Sequence, residues 1–204
     1  MKPPRLLFLL AFAPLLHGCV AVVAGGAIAG AHAVHDRRSV GTVLSDRNIQ
    51  LSAIDAIDRH RELTRDDNNI KVVVYNGVML LCGQVRSEEL KQLAQSSAEG
   101  FDGVVRLVNQ IEVTNQPEGF WRRRADEAIT ARVKTGLLDI TSLPGFDPTR
   151  INVTTSHRVV YLMGLVRHAE ADAATDVARN TQGVDQVVKL FDYIDANVAQ
   201  PGRT

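Results

Sequence analysis

Apolar and polar positions along this chain follow one pattern twice, about eighty residues apart. Ile70, Val72 and Val74 alternate with Lys71 and Tyr75, which is the period of a half-buried strand. Asn76-Gly77 follows, the strongest short signal for a two-residue hairpin turn, and a second apolar run starts at Val78. Ser87 then stands before Leu90, Leu93, Ala94, Ser97, Ala98 and Phe101, a helical stripe with a capping residue at its head. Leu107, Ile111 and Val113 share one face of a closing strand. Upstream, Ile49, Ala53, Ile57 and Leu63 lie near helical spacing, with Asp46 as the expected N-cap.

Shifting the sequence by 81 residues superimposes Ile70-Lys71-Val72 on Ile151-Asn152-Val153, Gly83 on Gly164, Val85-Arg86 on Val166-Arg167 and Glu89 on Glu170. With one residue deleted, Gly103-Val104 meets Gly183-Val184 and Ile111 meets Phe191. In the second copy Ile129, Val133, Leu137 and Ile140 form the first helical stripe, and His157-Arg158 replaces the Asn-Gly turn. Val159, Tyr161 and Met163 alternate, and Ala171, Ala174, Ala178 and Thr181 give a helix with a small-residue face. Each copy thus reads as helix, strand, strand, helix, strand. At about 70 residues, each is near the lower limit for a domain that folds alone, so the two are expected to pack together.

Before the repeats comes an apolar run, Leu6 to Leu16, behind Lys2 and Arg5. Eleven residues suit the core of a signal peptide and are too few to span a bilayer. The run ends in Leu16-His17-Gly18-Cys19, which resembles a bacterial lipobox, with Cys19 as the acylated mature N-terminus. Val20 follows, where Asp would mark inner-membrane retention, so sorting to the outer membrane is implied. The expected organisation is a lipoprotein signal peptide over 1–18, a lipidated N-terminus and flexible tether over 19–45, repeat units at 46–115 and 120–195, and a C-terminal tail over 196–204.

Composition alters this picture only at the margins. The 204 residues carry 23 Lys+Arg and 23 Asp+Glu, a formal net charge of zero, with 45% hydrophobic residues. That is ordinary globular usage, and it excludes both a disordered tail and a polybasic nucleic-acid binder. Loss of residues 1–18 removes two bases and no acid, which leaves the mature chain at −2, so an acidic partner must be met by a local patch. Cys82 is the second of two cysteines and sits in an apolar strand, as a small buried hydrophobe would. His32, His35 and Asp36 lie in the tether, and no serine or cysteine has a base partner at motif spacing. No catalytic residue, metal or cofactor is expected.

The repeat resembles the BON domain, an αββαβ module of bacterial periplasmic and outer-membrane proteins. The marks are a glycine closing the second strand (Gly83, Gly164) and the Gly103-Val104 to Ile111 and Gly183-Val184 entries to the last strand. The resemblance implies an α+β chain of two tandem BON domains, each with a small mixed three-stranded sheet packed on two helices. From lipobox to last strand the chain is similar to dual-BON outer-membrane lipoproteins, whose mature thiol carries acyl chains of the palmitate kind. That implies a non-enzymatic protein on the periplasmic face of the outer membrane, supporting envelope integrity and enriched at division sites. It also implies recognition of anionic phospholipid (phosphatidylglycerol, cardiolipin) by the first helix of the second unit.

The residues of that helix suit such a role. Ile129, Val133, Leu137 and Ile140 must face the sheet, so Arg124, Ala128, Ala131 and Leu138 face outward beside Arg132. At its head, Phe120-Trp121-Arg122-Arg123-Arg124 joins two aromatics to three cations, and each Arg near an anionic surface is worth about 1 kcal/mol. Ala128 stands where the family pattern tends to place an aromatic. Two alternatives stay open: a scaffold docking onto outer-membrane assembly proteins, and an osmotically induced periplasmic protein, against which Cys19 speaks.

Overall fold

Every apolar strand face in this chain has to be covered, and the fold is the way in which that is done. The computed structural model describes residues 36–65, 68–116, 120–140 and 142–194; of Phe120 and Trp121 only the backbone is described. Cys19, the signal peptide, Asp67 and the tail after Ile194 lie outside the described residues. The elements are α1 (Val40–Asp58), β1 (Asn69–Tyr75), β2 (Val78–Val85), α2 (Glu88–Ser97), β3 (Arg106–Val113), α3 (Phe120–Leu138), a 3₁₀ turn (Pro148–Arg150), β4 (Asn152–Ser156), β5 (Val159–Val166), α4 (His168–Asn180) and β6 (Gln186–Tyr193). The αββαβ reading of both repeats is what the structure has.

The sheets have the orders β1-β2-β3 and β4-β5-β6, each with one antiparallel and one parallel pairing. The hairpin makes the antiparallel pair, and the second helix makes the crossover that a parallel pair requires. In the first repeat, Val72, Val74, Met79, Leu81, Val85 and Ile111 pack under α1 and α2 against Ile49, Ala53, Ile57, Ala94 and Ala98. In the second, Val153, Val160, Leu162, Val166 and Phe191 pack under α3 and α4 against Ile129, Val133, Leu137, Ala174 and Ala178.

The alternate strand residues have a different destination. Tyr75, Val78, Leu80 and Cys82 of the first sheet pack against Tyr161, Met163 and Leu190 of the second. The order of layers is therefore helices, sheet, sheet, helices, and β2 is buried along all eight residues. Successive side chains on a strand point to opposite faces, so Met79 and Leu81 serve one core while Leu80 and Cys82 serve another.

Polar bonds cross the seam at its rim. Lys71 Nζ donates to the Thr155 carbonyl at 2.6 Å, the Tyr75 hydroxyl to the Arg150 carbonyl at 3.2 Å, and Asn76 Nδ2 to Asp192 Oδ2 at 2.9 Å.

The beginning of α1 departs from the sequence expectation. The N-cap is Ser39, whose hydroxyl accepts from the Thr42 N–H, and helix replaces tether from Val40 onward. Asp46 lies inside α1, buried, and accepts from the backbone N–H of Asn76 at 2.6 Å and of Gly77 at 2.9 Å. Asp126 does the same from α3, accepting from His157 N–H at 2.8 Å and Arg158 N–H at 3.0 Å. Each repeat thus ties its hairpin turn to its first helix through one buried carboxylate. The second turn holds two non-glycine residues at positive φ, His157 at 49° and Arg158 at 62°. Such a backbone persists only when its surroundings over-determine it. Here the Asp126 carboxylate does so, together with Arg158, whose side chain donates to the Gly183 carbonyl and pairs with Asp185.

Gly83 and Gly164 close their hairpins for a steric reason. A Cβ on Gly83 would sit 1.7 Å from the Asn69 carbonyl oxygen, and one on Gly164 would sit 2.8 Å from that of Arg150. Five of the expected helical positions, Leu63, Ala98, Phe101, Ile140 and Thr181, fall just past helix ends. Leu63 is buried beyond α1, and Phe101 and Ile140 are half-buried beyond α2 and α3. Asn68 is fixed by donating Nδ2 to the Glu62 carbonyl, and Asn69 begins β1.

Because Leu80 serves the seam and not a repeat's own helices, Leu80→Ala tests the coupling of the repeats. It should cost about 3 kcal/mol, with one unfolding transition for both repeats in urea. Two separate transitions in the wild-type chain would show that the seam does not couple them.

Candidate functional site

Helix α3 carries the expected inward stripe. Ile129, Val133 and Leu137 are buried, while Arg122, Arg124, Ala128, Ala131, Arg132, Lys134 and Leu138 are exposed and Arg123 is half-exposed. Leu138 is 66% exposed, so the neighbouring repeat does not enclose it. The side chains of Phe120 and Trp121 lie outside the described residues.

The charges on this helix are unequal. Its 19 residues hold Arg122, Arg123, Arg124, Arg132 and Lys134 against Asp126 and Glu127. Asp126 is buried under the hairpin turn and is lost to the surface. Glu127 does pair, accepting from Arg124 at 3.0 Å, but both groups are exposed and such a pair is worth well under about 1 kcal/mol. Arg132 donates to the Gln182 carbonyl, which holds its guanidinium against the loop before β6. The equivalent helix of the first repeat, α1, holds Arg47 against Asp46, Asp55 and Asp58. Two helices with the same place in the repeat therefore differ in sign.

The stretch Asp36-Arg37-Arg38, read from the sequence as linker, joins both repeats. Arg37 donates to both carboxylate oxygens of Glu170, at 2.5 and 2.8 Å, and to the Leu165 carbonyl at 3.1 Å, all in the second repeat. Arg38 turns to the first. It pairs with Asp36 and Asp46, at 2.7 and 2.8 Å, and its guanidinium lies 3.7 Å from the centroid of the Tyr75 ring. Glu170 is 1% exposed and also accepts from the Arg167 N–H and side chain. Burial alone would raise its carboxyl. The Arg37 and Arg167 hydrogen bonds override that and hold it at about 2. Neither Arg37 nor Glu170 announces this contact in sequence, because 133 positions separate them.

On the far side of the seam, Gln84 Nε2 donates to Glu112 Oε2 at 2.9 Å and to His157 Nδ1 at 3.0 Å, so one buried amide links the repeats. Cys82 is fully buried in the seam, and burial pushes its thiol up to about 12, which keeps it protonated and inert. Among the described residues no helix is long and apolar enough to cross a membrane.

With this geometry established, the comparisons with known proteins assign the chain. Its residues 45–115 and 125–195 match the BON domain, and the chain belongs to the BON-domain family. It is 30% identical over 191 residues to the outer membrane lipoprotein DolP of Haemophilus influenzae, covering 94% of this chain and 96% of that one. It is 33% identical over 159 residues to the 21 kDa hemolysin of Actinobacillus pleuropneumoniae, covering 78% and 79%. It is 29% identical over 150 residues to the osmotically-inducible protein Y of Escherichia coli, covering 72% of each.

The lowered carboxyl of Glu170 fixes a pH dependence. Its contribution to stability is full above the ordinary value of 4.5 and is lost as pH falls toward about 2. The wild type should therefore lose up to about 3 kcal/mol more than Glu170→Gln between about pH 6 and about pH 2. Urea midpoints across that range check it, and parallel pH profiles for the two proteins would contradict the assignment.

Proposed function

We propose that this chain is a bacterial envelope protein, acylated at Cys19, held on the periplasmic face of the outer membrane, and recognising anionic phospholipid through the outward face of α3. The carrying observation is the charge and apolar character of that face: five cations, one exposed acid within the helix, and Leu138 standing 66% exposed among Ala128 and Ala131. A helix with a small apolar strip flanked by Arg and Lys lies in the plane of an anionic interface. Phe120, Trp121, Arg122, Arg123 and Arg124 form its leading end, Arg132 its flank. The anchor itself does not need this surface, because two or more acyl chains hold firmly. The helix contributes lipid selection, for phosphatidylglycerol or cardiolipin, and sets how the two domains lie on the membrane. The chain acts by binding and not by catalysis, in support of envelope integrity and at division sites. Three points support this reading: the DolP relative is by name an outer membrane lipoprotein, the lipobox resemblance precedes Val20, and the BON fold is shown.

A second reading, a scaffold for outer-membrane assembly proteins, has its own observation. Val40, Leu44 and Leu51 stand 58%, 60% and 49% exposed on α1, whose acids outnumber its bases. An apolar stripe of that sign suits a protein partner better than an anionic bilayer.

Liposome flotation of residues 36–204 separates the two. Vesicles containing phosphatidylglycerol or cardiolipin should retain the protein and phosphatidylcholine vesicles should not. Arg122→Ala with Arg123→Ala and Arg124→Ala should weaken partitioning about a hundred-fold, and Leu138→Ala about ten-fold. Equal binding to charged and neutral vesicles, or loss of binding only on substitution of Leu44 and Leu51, would favour the scaffold.

A further inference from the structure

A cleft of about 520 Å³ opens where α2 and β3 of the first repeat meet β5, β6 and the β4–β5 turn of the second. That volume falls within the range of small-ligand sites, about 300–1,000 Å³.

Two hydroxyl groups define its chemistry. Ser156 and Tyr161 line the cleft and are only 3% and 4% exposed. Among the described residues neither hydroxyl has a hydrogen-bond partner. Nor is either sealed away, since the sealed and unpartnered side-chain atoms among those residues are Asn68 Oδ1 and Arg167 Nε. Both hydroxyls therefore face the water that fills the cleft, and a guest that displaces this water has to replace its hydrogen bonds or lose affinity.

The rest of the wall is mixed in charge. Lys91 brings an ammonium and Glu112 a carboxylate. Glu112 uses Oε2 to accept from Gln84, and its other oxygen has no partner among the described residues. Gln186 adds an amide at the mouth, and Val188 gives an apolar surface between them. A phosphate or sulfate would meet the Glu112 carboxylate here, unlike on α3. A purely apolar guest would leave two hydroxyls and a carboxylate unsatisfied. The set calls for a guest whose every polar group both donates and accepts, with an apolar face for Val188 and the Tyr161 ring. Vicinal hydroxyls on a pyranose have that character.

We propose that the inter-repeat cleft is a binding site for an uncharged sugar, one or two pyranose rings of a glycan, with Tyr161, Ser156 and Glu112 as its hydrogen-bonding groups. Because both repeats line it, the bound sugar bridges them across the seam. The site stands apart from the lipid-facing helix and does not depend on it.

Saturation-transfer NMR tests this on the full acylated chain in zwitterionic micelles, which present no anionic lipid. The probes are N-acetylglucosamine and its β-1,4-linked dimer. Saturable transfer with dissociation constants of about a millimolar is expected. Tyr161→Phe and Ser156→Ala, which each remove a single oxygen, should each weaken binding about five- to ten-fold. Gln186→Ala, at an exposed position, should weaken it without touching the core, and unchanged melting temperatures would show that all three variants are folded. Absence of transfer from both saccharides at about 20 mM overturns the proposal, as does transfer that survives loss of both hydroxyls. Displacement of the saccharide by inorganic phosphate overturns the assigned class, because an anion site would displace in that way. None of these results bears on vesicle binding by α3.

Discussion

A three-stranded sheet with apolar residues on both faces cannot be stable in water with helices on one face only, and this chain carries two such sheets. Each repeat supplies two helices, enough for one face. Tyr75, Leu80 and Cys82 are left on one sheet and Tyr161, Met163 and Leu190 on the other, and they cover one another. The duplication is therefore a physical necessity for this sequence as well as a genealogical trace: either repeat alone would expose a row of large side chains to solvent. The outer helices consequently turn their remaining surfaces away from the seam, and this is what leaves the outward face of α3 free to meet a partner.

The two buried aspartates show how repetition and divergence coexist. Asp46 and Asp126 hold their hairpin turns in the same way, through two backbone N–H groups each. That shared clamp lets the turn sequence drift from Asn76-Gly77, which favours positive φ by itself, to His157-Arg158, which does not. The freed position now carries an imidazole bonded to Gln84 across the seam. In the first repeat Asp46 has a further neighbour, Arg38, which ties the chain ahead of α1 to the same clamp. The Asp36–Arg38 stretch thereby spans both repeats, with Arg38 in one and Arg37 in the other.

Much of the fold was legible because local signals agreed with the tertiary need. Period-two runs, the Asn-Gly turn, the Ser87 cap and the glycines at 83 and 164 each have a short-range cause. What escaped has a long-range cause. Asp46 has the residue type and position of an N-cap, and only its match to Asp126, at the same 80-residue offset as Ile49 to Ile129, hints at another role. Arg37 looks like any cation in a polar stretch, since its partner Glu170 lies 133 positions away. The seam cleft could not be read either, because strand alternation tells which residues share a face but not what that face will meet. For α3 the reverse holds. Helical periodicity alone separated Ile129, Val133 and Leu137 from Ala128, Ala131 and Leu138, and exposure follows that division. Its charge balance is not legible in the same way, because the burial of Asp126 makes the surface more basic than a residue count suggests.

That last point decides which helix is the stronger candidate for a membrane. On residue counts alone, α3 carries five cations to two acids, and α1 one cation to three acids. After burial, α3 keeps one exposed acid, which faces Arg124, while α1 keeps Asp55 and Asp58, of which Asp55 pairs with Arg59 just beyond the helix. At about 1 kcal/mol per cation near an anionic surface, the difference between the two faces amounts to several kcal/mol. Exposed apolar area among the described side chains favours α1, which shows Val40, Leu44 and Leu51 where α3 shows Leu138, so the case for α3 rests on sign. On the proposed reading an anionic bilayer would select α3 over α1, whereas a protein partner would use the apolar stripe of α1. One chain built from a duplicated module can thus present two outer helices with different tasks, and the divergence that separates them lies in surface charge, where it costs the shared core nothing.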